Sequence, residues 1–129
     1  MNPFAPHLIA LVAAGGAAGS VLRYAVGIWC AAWFGTALPW GTVAVNVAGS
    51  AAIGLLGGLL LGGAAIGQEA RLLLITGVLG GFTTFSAFSL ETGTLALRSP
   101  ALAATYLALT LLGGLGAFAL CFALGRALA

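Results

Sequence analysis

The sequence predicts an all-α integral membrane protein with four transmembrane helices, and three observations carry the prediction. The charged side chains are four Arg and two Glu, 5% of the 129 residues, where a soluble domain carries about a quarter. Hydrophobic residues make up 62%, with a mean hydropathy of +1.20, and such a surface does not stay dissolved in water. Turn-forming residues then divide the apolar chain into four runs, each long enough for the roughly 20 residues that cross a bilayer as a helix.

The first run, about 8–34, ends at "GTALPW". Trp29, Trp33 and Trp40 gather around that turn, as aromatic side chains do at membrane interfaces. The start, "MNPFAPH", lacks the basic residues of a signal peptide, so this span is expected to be retained. The second run, about 41–61, ends at "GGAAIGQEAR", and the third, about 72–97, lies between Arg71 and Arg98. The fourth, about 100–125, opens on Pro100 and closes at Arg126; proline suits a first helical turn, where its missing N–H costs little. No loop is long enough for a second domain, so residues 1–129 are expected to form one. Cys30 and Cys121 lie in apolar stretches and read as small packing residues.

Packing and topology follow from glycine and arginine. Glycines recur four apart, as in Gly15 and Gly19, Gly54 and Gly58, Gly58 and Gly62, Gly77 and Gly81. Small residues at this spacing let membrane helices approach closely, where lipid offers no hydrophobic drive for association. With four spans, Arg71 and Arg126 fall on one side and Arg98 on the other, while Arg23 lies inside the first span. One residue of difference does not set an orientation by the positive-inside rule. Insertion in both directions, and pairing with an inverted copy as an antiparallel dual-topology homodimer, is therefore expected. A net charge of +2 is too small to indicate a nucleic-acid partner.

In so apolar a chain the polar residues are informative. Thr42, Asn46 and Ser50 are four apart on the second span and share a helix face. Asn46 must find partners there: it either bonds a neighbouring helix or lines a wet path. Tyr106 and Thr110 form a shorter stripe on the fourth span, whose next position is Gly114. Arg23 lies far from both ends of its span and has no acid in that span. It either pairs with Glu69, Glu91 or backbone carbonyls, or faces a vestibule that would attract anions.

The densest polar run is "GGFTTFSAFSLET", residues 80–92. A straight helix over 72–97 would be about 39 Å long, against a hydrocarbon core of about 30 Å. Its midpoint is near Thr84, after Gly80 and Gly81 and the β-branched Thr83 and Thr84, a poor helix interior. Either the helix continues on glycine packing or it breaks, freeing carbonyls that would bind a cation. Beyond the glycines, Phe82, Phe85 and Phe88 alternate with Ser86 and Ser89. Ring edges carry partial positive charge and hydroxyls donate hydrogen bonds. Together they suit a small anion; the alternative is that the rings pack and the serines bond their own helix.

"GGFTTFSAFSLE" closely resembles the third-helix signature of the Fluc (CrcB) fluoride channels. "GGAAGSVLRY", Gly15–Tyr24, and "GTVAVNVAGS", Gly41–Ser50, resemble that family's first- and second-helix motifs. The resemblance covers nearly the whole chain. It implies an antiparallel homodimer in the cell's inner (plasma) membrane, with a broken third helix and two fluoride pathways. Asn46, Phe85 and Phe88 would line each pathway, Tyr106 and Thr110 would form a polar track, and Thr42, Ser86 and Ser89 are further candidates for its wall. Gly114 stands where some relatives carry a hydroxyl. Gly80 and Thr83 would hold a structural sodium ion (Na+) through their carbonyls. Arg23 and Glu91 are assigned to a vestibule.

The implied activity is passive fluoride export, which protects the cell, with no enzymatic step. Two rivals remain at this level. A small dual-topology multidrug-type exporter would need a carboxylate in the first span, and the first span has none. A non-transporting scaffold would need only the glycine packing.

Overall fold

The computed structural model describes residues 2–129 and folds as four helices long and apolar enough to cross a membrane. These are α1 (Pro6–Phe34), α2 (Trp40–Leu61), α3 (Gln68–Arg98, interrupted once) and α4 (Pro100–Leu128). No strand occurs among the described residues. The helix ends have local causes. Gly35 stops α1 at φ +78°, a conformation that a side chain would strain. Ser99 opens α4, its Oγ accepting the Leu102 N–H at 3.3 Å ahead of Pro100, an N-cap followed by a first-turn proline. Helix α3 begins at Gln68, four residues before the expected start, because its first turn takes in Glu69. An acidic side chain is favourable at the positive end of a helix.

Glycine lets the backbones touch. Helix α1 packs on the first half of α3, and α2 packs along α4. A methyl group at Gly19 would collide with the Val78 carbonyl; one at Gly58 would meet the Phe122 carbonyl and, at 2.9 Å, the Arg126 nitrogen. These contacts replace a conventional core. Only 11% of the most apolar window is buried in α1, α3 and α4, and 22% in α2, so most of the surface faces lipid or another subunit. Among the described residues the apolar cluster of buried side chains is Leu38, Phe88, Leu95, Ala103 and Tyr106. It joins the second half of α3 to α4 and to the α1–α2 turn.

Helix α3 is not uniform. From Leu72 to Leu79 it is wound wide, the Gly80 N–H reaching back five residues to the Ile75 carbonyl. Such π-type winding is rare and is found often at functional sites. After Phe82 the chain leaves the helix, Thr83 adopting φ −85° and ψ 159°, and helix resumes at Ser86.

Overpacking a tight contact costs about 1–3 kcal/mol. Gly58→Val is therefore expected to lower the thermal midpoint of the detergent-solubilised protein. Gly93→Ala, with open space around it, is not; circular dichroism melts of the two variants make the comparison.

Candidate functional site

The break in α3 is held by a side chain from α2. Asn46 Nδ2 donates to the Thr84 carbonyl at 2.9 Å, and Asn46 Oδ1 accepts the Thr84 N–H at 2.8 Å. Thr84 in turn caps the second half of α3, its Oγ1 accepting the Ala87 N–H at 3.1 Å, the bond an N-cap makes three residues ahead. The consequence is specific. In an unbroken helix the Thr84 N–H would bond the Gly80 carbonyl, and the Ala87 N–H would bond the Thr83 carbonyl. Both donors are diverted, so these two carbonyls lose their helical partners. Gly49 is needed beside them, since a Cβ there would run into the Thr83 methyl group.

Beside the break lies a cavity of about 450 Å³, bordered by Asn46, Thr83, Phe85, Phe88 and Thr110. No ionisable side chain lines it. Phe85 and Phe88 differ sharply in exposure, at 76% and 6%. Their rings are 5.8 Å apart and tilted by 53°, and Phe88 leans on Tyr106 with centroids 5.3 Å apart. The Thr110 hydroxyl is buried and has no partner among the described residues.

The serines of the run lie elsewhere. Ser89 Oγ donates to the Phe85 carbonyl at 2.9 Å, so it bonds its own helix. Ser86 Oγ sits 3.4 Å from Thr84 Oγ1. Neither borders the cavity, because the helix that resumes at Ser86 turns them away from it.

A second polar centre ties three elements together. Glu91 Oε1 accepts from the Thr42 hydroxyl at 3.0 Å, and Oε2 accepts from the Tyr106 hydroxyl at 2.6 Å. The stripe on α2 thus divides: Thr42 goes to Glu91, Asn46 to the break, and Ser50 to the cavity. Glu91 and Thr42 also border a cavity of about 280 Å³ together with Arg23, Trp40 and Thr36. Arg23 is half-buried there. Among the described residues the one contact of salt-bridge length is between His7 and Glu69, 3.8 Å apart and largely exposed, so Arg23 pairs with neither glutamate. This cavity is thus bordered by Arg23, which pairs with no carboxylate among the described residues, and by the hydrogen-bonded Glu91.

Sequence reasoning missed Thr84 as the cap and as the partner of Asn46. Its signal was weak, because the position three residues on is Ala87 rather than the Glu or Gln of a capping box. It also missed that Glu91 collects the hydroxyls of Thr42 and Tyr106, which lie 49 and 15 residues away.

Removing the Asn46 amide strands the two backbone groups of Thr84, each at a cost of about 1–3 kcal/mol. Asn46→Leu is therefore expected to destabilise the fold and to speed hydrogen exchange at the Thr84 amide, read by mass spectrometry on peptides spanning the break.

The sequence profile of the family described as CrcB-like protein, Camphor Resistance (CrcB), matches residues 10–124. A protein of Agrobacterium fabrum (strain C58) named fluoride-specific ion channel FluC is 50% identical over 119 residues, 92% of this chain and 95% of its own length. A protein of the same name from Rhizobium etli (strain CIAT 652) is 57% identical over 93 residues, 72% and 74% of the two chains. Another, from Allorhizobium ampelinum, is 51% identical over 116 residues, 89% and 93%. Four bilayer-length helices and a match spanning all of them make this multi-pass membrane protein a member of the CrcB family.

Proposed function

We propose that the chain is a passive, fluoride-selective ion channel that exports fluoride across the cell's inner membrane. The observation that carries this reading is the cavity beside the α3 break. It is bordered by two Phe rings, a buried hydroxyl and an Asn amide, and by no ionisable side chain. Such a site offers a small anion ring edges and hydrogen-bond donors without a fixed cation to trap it. Conduction needs binding strong enough to enter and weak enough to leave. The relatives' shared name, fluoride-specific ion channel, supports fluoride as the anion.

The driving force is the membrane potential. Hydrogen fluoride crosses lipid as the neutral acid and dissociates in a neutral cytoplasm, leaving fluoride trapped. An inside-negative potential then drives the anion outward by about 2.3 kcal/mol per charge for each 100 mV. Selectivity over chloride would rest on a narrow, nearly dry path, where a small ion with short, strong hydrogen bonds regains more of its lost hydration. The lack of a titratable group at the cavity disfavours a proton-coupled multidrug-type exporter.

In this reading the working unit is a homodimer of inverted copies. One subunit leaves Phe85 76% exposed and Gly80 exposed beside the break, surfaces that a second copy would cover. The freed carbonyls of Gly80 and Thr83 are hard oxygen donors on backbone, the donor type that broken membrane helices use for Na+. A sodium ion held there, with the same two carbonyls from the partner, would fix the two breaks against each other. Its role would be structural. Phe85 and Phe88 would face the anion, with Tyr106 and Thr110 along the α4 wall. Arg23 would draw anions into the vestibule, where Glu91 holds Thr42 and Tyr106 in place.

Purified protein in liposomes is expected to release fluoride under a potassium/valinomycin potential, followed with a fluoride electrode. Absence of flux from a folded preparation would reject the reading. Phe88→Ile is expected to cut the flux by at least about tenfold, equivalent to roughly 1.4 kcal/mol on the barrier, while leaving the dimer intact. For the inverted pair, Ala64→Cys in a Cys30→Ser, Cys121→Ser background is expected to react with an impermeant maleimide from both faces of the membrane. Labelling from one face alone would overturn the antiparallel arrangement.

A further inference from the structure

Helices α2 and α4 carry facing polar stripes, Thr42, Asn46 and Ser50 on one, Tyr106, Thr110 and Gly114 on the other. Thr42 and Tyr106 meet at Glu91, and Asn46 is engaged at the break. That leaves two hydroxyls, those of Ser50 and Thr110. In this chain Thr83, Ser89, Thr92 and Thr105 return their hydroxyl protons to the carbonyl four residues back, at 2.7–2.9 Å, the usual solution in an apolar helix. Thr110 does not. It is 6% exposed, and its Oγ1 has no partner among the described residues. Ser50 makes no hydrogen bond to them either, and both residues border the 450 Å³ cavity. A buried hydroxyl left unbonded is costly, so the space that Thr110 faces, with the half-buried Ser50 beside it, suits an acceptor.

Gly114 provides part of that space. A Cβ built there would stand 3.4 Å from Ser50 Oγ, so the Ser50 hydroxyl occupies the region that a side chain at 114 would reach. Along α4 the stripe supplies a hydroxyl at Tyr106 and at Thr110 and then stops. Across the gap, α2 supplies the next one.

We infer that Ser50 and Thr110 form a two-hydroxyl hydrogen-bonding station for a small anion, Ser50 providing from α2 the donor that α4 lacks at Gly114. The lane of donors thus crosses from one helix to the other past Thr110. The ligand class is a compact, strongly accepting anion, fluoride on the channel reading above, with water in its place between passages. The inference rests on that reading, and it adds to it a residue and a route.

The test uses the full chain in liposomes, with fluoride efflux as the readout and gel filtration as the control for assembly. Ser50→Ala is expected to reduce flux about tenfold, the loss of one hydrogen bond to a charged group. Gly114→Ser in the same chain is expected to restore most of it, because the new hydroxyl enters the vacated region. Efflux from Ser50→Ala equal to the parent chain overturns the inference and leaves the channel reading standing. A loss that Gly114→Ser does not rescue assigns Ser50 to packing and also overturns it. Absence of flux in the parent chain rejects the channel reading, and this one with it.

Discussion

A peptide unit outside a helix, deep in a bilayer, has no water to bond and loses several kcal/mol for each group left bare. The pairing of Asn46 with both the N–H and the C=O of Thr84 removes that cost, and the rest of the site depends on it. The amide reproduces the two-way exchange that a neighbouring strand would offer. Once it does so, the Thr84 hydroxyl is free to restart the helix, the Gly80 and Thr83 carbonyls are released, and Phe85 and Phe88 are set on the new helix beside the cavity. Without the amide from α2, both backbone groups of Thr84 are left bare at the break, and the placement of the rings beyond it loses its support.

The glycine contacts serve the same end. Asn46 reaches α3 only if α2 can come close, and Gly49 gives Thr83 the room it needs. On the other side, α1 lies backbone to backbone on the first half of α3 through Gly15, Gly19 and Gly77. The segment before the break is thereby clamped between two helices. The wide winding of Leu72–Leu79 leads directly into it. What reads in sequence as generic small-residue packing is, in the fold, the support of one irregular stretch.

Much of this was legible and some was not, for physical reasons. The four helices were legible because hydropathy and length alone decide whether a segment spans a bilayer. The region of the break was legible from two glycines and two threonines at the midpoint of an overlong span. The wide winding was not, because Leu and Ile favour an ordinary α-helix just as well. Ser89 left two readings open, a place on the wall or a bond to its own helix; its Oγ donates to the Phe85 carbonyl, a choice set by rotamer and neighbours that the sequence does not encode. Thr42 and Tyr106, read as separate stripes, converge on Glu91 across sequence distances that no local pattern encodes. Asn46 left two readings open, a bond to a neighbouring helix or a place on a wet path. It bonds Thr84 on the neighbouring helix and also borders the cavity.

The sequence by itself determined that the chain lives in a membrane, that it crosses four times, and that its few polar groups must all find partners or line a path. These are consequences of transfer free energy, which depends on composition and length and hardly on arrangement. Only the tertiary structure decided which polar group goes where: Asn46 to the backbone of Thr84, Glu91 to two hydroxyls from other helices, Thr110 and Ser50 to an open cavity. A hydrogen bond is short and directional. Its partner is therefore chosen by where the packed helices bring atoms to within about 3 Å, and that is information no single segment carries.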